Sequence, residues 1–317
     1  MPDEKVMREV LIHSIWRKMA DNEKLFFLSD DFGSIALDKI RSDFTDRFIN
    51  VGIAEQNLVN LSIGLALEGF TVFGYGIAPF ITMRACEQVR NLSMMSHVRK
   101  LNVNLIGVGA GLSYDMSGPT HHSLEDISIV RVFPNIEVFS PSDWVMAEKV
   151  MDYAVNVMKP KYIRLDGKPL SKIYGDGITL ENGFYELRKG ERICLVSTGY
   201  MTHVALKVAE ELSNRNIPVG LLDMFFLKYF NQDALYGALK DYTHVLTLEE
   251  GFINKNGLDC IVANLLADRD AHGISLKKFG FGDKHVFDNG DREYLHQLNH
   301  LGKEDIIGAV EKLWKQS

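Results

Sequence analysis

Three segments carry residues whose types and spacing suit chemistry. The first, RFINVGIAEQN at 47–57, runs from a predicted strand through Gly52 into a predicted helix whose second residue is Glu55. One reading is a helix-start glutamate, because the helix dipole favours a carboxylate in the first turn. The other starts from the surroundings: the helix is otherwise apolar and follows the C-terminal end of a strand, where open α/β sheets bind ligands. A carboxylate buried there is suited to share a proton with a ligand nitrogen.

The second segment, GVGAGLSYDMSGPTHHSLEDISIV at 107–130, combines Gly107, Gly109, Gly111, Gly118 and Pro119 with a tandem histidine pair. Such a composition describes a shaped loop, not a core element. Ser123 with Asp126 reads as a capping-box variant, which starts a helix after the histidines. His121 is the better acid–base candidate of the pair, since a neutral imidazole both donates and accepts. A metal role is not read here, because adjacent residues rarely point at one ion and no third ligand is near. In the third segment, YGIAPFITMRACEQVRN at 75–91, Tyr75 reads as core. Phe80, following Pro79 at the start of a helix, is placed to lie against a flat ligand.

The elements that must position these residues follow from the periodicity. Strands are expected near 25–29, 47–51, 71–76, 103–108, 136–139 and 162–165, with helices near 4–20, 54–68, 80–98, 124–132 and 142–158 between them. This alternation argues for βαβ units and a mostly parallel sheet. The helix from Ala54 is apolar nearly all round, which predicts a buried helix, and Gly69 is its expected C-cap. The stretch 166–191 is richer in glycine, proline and charge and reads as a connection. A second α/β pattern follows, with strands near 193–197, 219–223, 244–248 and 275–279. Its helices fall near 201–215, 231–240, 257–268 and 303–315. The expected organisation is a first domain over 1–175, a linker over 176–191 and a second domain over 192–317, each α/β with a mostly parallel sheet flanked by helices.

Bulk composition agrees. Of 317 residues, 46% are hydrophobic and 24% charged, as in a well-packed globular protein. A formal charge of −7 offers no basic footprint for nucleic acid. Cys86, Cys194 and Cys260 form neither a disulfide framework nor a zinc spacing. With a charged N-terminus and no long apolar run, a cytoplasmic location is expected.

Taken together, the GIAEQ segment, the GPTH loop about sixty residues later and the intervening APF segment resemble the transketolase family. More narrowly, they resemble the C-terminal-half subunits of split transketolases, over almost the whole chain: a pyrimidine-binding domain followed by the family's C-terminal domain. The resemblance implies thiamine diphosphate as cofactor and transfer of a two-carbon ketol unit between sugars. It assigns Glu55 to the glutamate that hydrogen-bonds the aminopyrimidine, favouring the tautomer that takes the proton from the thiazolium carbon. By the same resemblance Phe80 stacks on the pyrimidine, Asp31 of SDDF is a cofactor-side acid, with a strand-end or helix-cap aspartate as the alternative, and His121 lines the substrate channel. Arg8 and Arg164 fall at phosphate-binding arginines; the alternative for each is an arginine paired within the protein.

The departures bear on substrate. Where family members acting on ordinary sugar phosphates carry a histidine, twelve residues before His121, this chain has Gly109. Where they carry an aspartate, four residues before it, this chain has Ser117, and His122 replaces a glutamine; Ser117 and His122 are both expected substrate contacts. The expectation is a more open site for a non-standard sugar. The family's Mg²⁺–diphosphate motif, GDG followed at a set distance by asparagine, is not matched by Gly175–Asp176–Gly177: Asn182 lies too close, Asn214 and Asn216 too far. The resemblance therefore implies that an N-terminal-half partner supplies Mg²⁺, in a heterotetramer. The other readings are a subunit of a 2-oxo acid decarboxylating dehydrogenase or acyloin synthase, and a non-catalytic paralogue.

Overall fold

A computed structural model describes residues 3–316. The first unit runs β1 (Glu4–Val6), α1 (Met7–Asp21), β2 (Leu25–Ser29), α2 (Ile35–Asp43), β3 (Phe48–Asn50), α3 (Glu55–Leu67), β4 (Thr71–Ile77), α4 (Ala78–Met83) and α5 (Cys86–Val98). It continues through β5 (Asn102–Val108), α6 (Asp126–Val132), β6 (Glu137–Phe139), α7 (Trp144–Asn156), β7 (Lys161–Leu165) and β8 (Pro169–Ser171). Six of these strands form a parallel sheet in the order β3-β2-β4-β5-β7-β6. From β2 the chain crosses outward to β3, then back over β2 to β4. Successive connections therefore diverge at the β2/β4 boundary, which makes that boundary the crevice where a doubly wound sheet receives ligands.

The second unit holds β9 (Phe184–Arg188), β10 (Ile193–Ser197), α8 (Tyr200–Asn214), β11 (Gly220–Met224), α9 (Gln232–Leu239), β12 (His244–Phe252), α10 (Leu258–Asp268), β13 (Ser275–Phe281), α11 (Arg292–Leu298) and α12 (Lys303–Gln316). Its sheet order is β13-β12-β10-β11-β9, parallel except for β9. Part of the stretch expected to be a connection is thus an antiparallel edge strand: Phe184 pairs with Met224 and Glu186 with Leu222. The units share a seam at which Ser140 N–H donates to the Phe225 carbonyl at 2.8 Å and the Phe139 and Phe226 rings stack at 4.3 Å.

Two helix expectations need refinement. Gly69, at φ 89°, ends α3 as expected, with its N–H on Ala66 and that of Phe70 on Leu65, a Schellman arrangement. But α3 is buried on one face only: Leu58, Val59, Ile63 and Ala66 enter the core while Leu61 and Leu67 are exposed. Hydrophobicity all round is satisfied within a chain only if every side has a neighbour, and this helix has its sheet and α5. The single helix expected over 80–98 is two, α4 and α5, which meet at Arg84–Ala85.

Candidate active site

Glu55, Phe80 and His121 come together. Gly52, at φ 72°, turns the chain out of β3, with its N–H on Asn50 Oδ1 at 2.9 Å. The next turn begins α3 at Glu55, whose side chain faces inward and is 4% exposed. Its Oε1 lies 2.7 Å from Arg84 Nη1. The Arg84 guanidinium lies over the Phe80 ring, 4.2 Å from its centroid, and the His121 ring meets Phe80 edge-on at 5.2 Å and 70°. A carboxylate and an aromatic face thus grip one flat, N–H-bearing cation. A flat nitrogen heterocycle offers the same two features, a π face and a ring nitrogen for the carboxylate, so these residues fit an aminopyrimidine. His121 Nδ1 is 3.1 Å from Thr120 Oγ1.

The histidine pair divides. His122 points inward, 3.2 Å from the Asp115 carbonyl through Nε2, and burial pushes its pKa down. A buried neutral imidazole braces the loop, so His122 is not the substrate contact expected for it. Ser117 is exposed in a short 3-10 turn, with its N–H on the Tyr114 carbonyl. Asp115 is taken up by the loop: its Oδ2 accepts from Lys168 and from Arg292 N–H, and its Oδ1 from Met116 N–H. Ser123 does not cap α6; its strand-like bridge is to Gly111, and Asp126 is used elsewhere.

Asp126 is the partner of Arg164. Arg164, 3% exposed, gives Nε to Asp126 Oδ2 at 2.8 Å and Nη2 to Oδ1 at 3.2 Å, with Ser123 O and Ser140 Oγ beyond. This is an internal fork, so in this structure Arg164 is paired within the protein, the alternative to the phosphate contact expected of it. Arg8 is better placed. It borders an open cleft of about 440 Å³ with Ser34 and Arg41, although Glu9 already takes Arg8 Nε at 3.2 Å and Ser34 Oγ at 2.7 Å.

The space expected at Gly109 is filled. Gly109 sits at φ 100°, and a Cβ there would collide with the Tyr114 ring, which also packs on Gly167. Arg8 Nη1 donates to the Tyr114 hydroxyl at 3.4 Å. The loop has therefore folded its own aromatic ring over the backbone at this position, where openness was expected.

The acid pair at 30–31 also resolves. Asp31, at φ 68°, faces outward and accepts from Asn50 Nδ2 at 2.8 Å. Asp30 turns inward at the β2/β4 crevice and is 6% exposed. Asp31 is the acid expected on the cofactor side, but of the two it is Asp30 that turns inward and whose carboxyl feels the Glu55 charge.

A group that sequence reading missed lies across the seam. Arg292, at the start of α11, gives Nε to Glu250 Oε1 at 2.6 Å and lies 2.7 Å from Asp166 Oδ2, an ion pair whose angle falls outside a hydrogen bond. His296 Nε2 reaches Glu250 Oε1 at 2.6 Å, and Leu112 N–H donates to Oε2 at 3.2 Å. Burial alone would raise the Glu250 carboxyl, but the charge and hydrogen bonds of Arg292, with His296, hold it well below the usual range. The second unit thereby grips the glycine-rich loop at Leu112 and, through Arg292 N–H, at Asp115. The Glu249–Glu250–Gly251 strand end was the available signal, but its partner lies 42 residues away.

Comparison with known proteins gives consistent matches. Residues 4–170 match the transketolase pyrimidine-binding domain and residues 184–306 the transketolase C-terminal domain. The chain is 36% identical over 266 residues to a subunit of the apulose-4-phosphate transketolase of Actinobacillus succinogenes, covering 84% of each. It is 26% identical over 314 residues to the 6-deoxy-6-sulfo-D-fructose transketolase subunit SqwH of a Clostridium species, covering 98% of this chain and 95% of that one. Among solved structures, one described as a split gene transketolase, inactive beta4 tetramer, superimposes with a TM-score of 0.86 at 30% identity over 97% of both chains.

Proposed function

Because the chain belongs to the transketolase family, we propose that it is the pyrimidine-side subunit of a split, thiamine-diphosphate-dependent transketolase-type enzyme that transfers a two-carbon ketol unit from a non-standard sugar. The observation that carries this reading is the grip of Glu55 and Phe80 on the flat Arg84 cation. When bound there, thiamine diphosphate supplies the electron sink for the carbanion left by C–C cleavage. The chain's own residues do the rest. Phe80 offers a stacking face, Glu55 holds a proton at the pyrimidine ring nitrogen, and His121 stands where a sugar hydroxyl or carbonyl needs a donor or acceptor.

The partner follows from the surface as well as from the relatives. Ile53, 78% exposed, lies beside Glu55 in sequence, and Met116, 66% exposed, projects from the substrate loop. Leu61 and Leu67 of α3 and Met94 and Val98 of α5 are exposed as well, on adjacent helices. Apolar groups around and behind a site argue for cover by other chains. In this reading an N-terminal-half subunit completes the site and supplies the Mg²⁺–diphosphate contacts, and two such pairs form a heterotetramer in the cytoplasm. The inactive description of the solved relative composed of β chains alone supports the need for that partner.

Substrate preference is carried by position 109 and Ser117. An aspartate bonded to a sugar hydroxyl contributes roughly 1.5–3 kcal/mol, which an exposed serine does not replace. With Tyr114 covering Gly109, the site has a different wall as well as fewer charges. The two-subunit complex is expected to run xylulose 5-phosphate and ribose 5-phosphate poorly beside apulose 4-phosphate or 6-deoxy-6-sulfo-D-fructose, the sugars named for its relatives. If the pentose phosphates reach kcat/KM of ~10⁴ M⁻¹s⁻¹ or above while the modified sugars do not, the non-standard donor is ruled out.

A further inference from the structure

We propose that Asp30 is a positioning residue for Glu55: a second buried carboxyl, built into the sheet's crossover point, whose charge acts on the proton that Glu55 holds. This rests on the reading of Glu55 as the cofactor's partner.

Three observations lead there. Asp30 directly follows β2 at the boundary where the connections diverge, with its N–H on the Tyr75 carbonyl of β4 at 3.2 Å. Its carboxyl lies against Gly76, where any Cβ would collide with Oδ2, so the neighbouring strand is shaped around this side chain. Its Oδ1 is buried with no hydrogen-bond partner among the described residues, and the Tyr75 hydroxyl close by is equally unpartnered. Buried polar atoms without partners are costly, and a cradle that maintains one calls for a role beyond packing.

The electrostatics define the role. Burial, then the Glu55 charge, push Asp30 up to about 7, against backbone N–H groups that pull it down. The charged and titratable groups around it are Glu55 from α3, with Arg84 on its outer side, and Tyr75 from β4, with Arg8, Glu9 and Tyr114 beyond. Asp31 turns away to Asn50. Below about 7 Asp30 is neutral; above it a negative charge is added at the crevice that Glu55 faces. That charge strengthens the attraction of the pair for a proton shared between Glu55 and a pyrimidine nitrogen. It also opposes folding: between the ordinary value of 3.8 and about 7 the folded chain keeps a proton that the unfolded chain releases, so the contribution to stability falls as pH rises through that window.

The test has two arms, both on the two-subunit complex. Without cofactor, the ¹³C carboxyl resonance of Asp30, assigned by its loss in Asp30→Asn, is titrated by NMR in wild type and in Glu55→Gln. With cofactor, C2–H exchange is followed from pH 5.5 to 8.5. The proposal expects Asp30 to titrate near 7 and to fall toward the ordinary range in Glu55→Gln. It also expects exchange to rise by roughly tenfold through that region in wild type and not in Asp30→Asn. An Asp30 resonance that titrates in the ordinary carboxylate range, or an exchange profile of Asp30→Asn superimposed on wild type, overturns it. Exchange unaffected by Glu55→Gln sinks instead the reading of Glu55, and the cofactor-free titration still decides whether the two carboxyls are coupled.

Discussion

Glu55→Gln is expected to lower the C2–H exchange rate of thiamine diphosphate bound to the proposed two-subunit complex by ~10²–10⁴-fold, the ordinary range of a general acid–base contribution. The amide has the shape of the carboxylate but cannot hold a proton at the ring nitrogen. The fold survives the change. Glu55 is buried, but its partner Arg84 is half exposed at the far end of the ion pair, so loss of the pair costs about 1 kcal/mol or less. The thermal midpoint therefore moves by only a few degrees while exchange collapses. Exchange measured by NMR in deuterated buffer, beside a melting curve of the same protein, separates the two. An unchanged exchange rate would return Glu55 to the role of a helix-start glutamate.

The second large effect is on stability. Arg292→Met removes one cation from a buried group and leaves Glu250 and Asp166 without their main counter-charge. Breaking a buried ion pair from one side costs about 3–5 kcal/mol, because the orphaned charge must be protonated or hydrated. The packing of Arg292 over the Tyr200 ring, 3.6 Å from its centroid, is lost as well. Urea denaturation should show a midpoint shift of that size, and the glycine-rich loop should gain amide exchange at Leu112, whose N–H rests on Glu250. Acid reveals the same group in wild type. The folded Glu250 is held below its ordinary value of 4.5, so its contribution is fully present above that value and is lost as pH falls toward the folded one. A midpoint for Arg292→Met equal to that of wild type would mean that the seam is held by its apolar residues alone.

Much of the architecture was legible because period and composition report burial directly. The six-stranded parallel sheet and the strands β10 to β13 announce themselves as short apolar runs between helical segments. Phe184–Arg188 did not, because an edge strand with one exposed side carries the polar composition of a loop. α2 and α11 were missed for a related reason: short helices with charged faces have little period to read. In α3 the period was clear and the inference from it was too simple, since apolar residues at Leu61 and Leu67 require cover without saying which chain provides it.

The site divides along the same line. Glu55, Phe80 and His121 stand out because local signals, a strand end, a proline and a glycine-rich loop, mark their positions. Asp30 and Asp31 are indistinguishable in sequence; the left-handed backbone at Asp31 decides which one turns inward. The commitments of Arg164 and Glu250 depend on partners 38 and 42 residues away, which no local pattern encodes. Tyr114 over Gly109 is a loop folding back upon itself, and the same glycine read alone suggests a void.

The central claim is that this chain holds the pyrimidine half of a thiamine diphosphate site that another subunit completes. The measurement that tests it most directly is titration calorimetry of thiamine diphosphate with Mg²⁺ into the purified chain and into its complex with the N-terminal-half subunit. The expected result is no tight binding by the chain alone, with the Arg84 cation keeping its place on Glu55 and Phe80, and tight, Mg²⁺-dependent binding by the complex. Tight, Mg²⁺-dependent binding by the chain alone would contradict it.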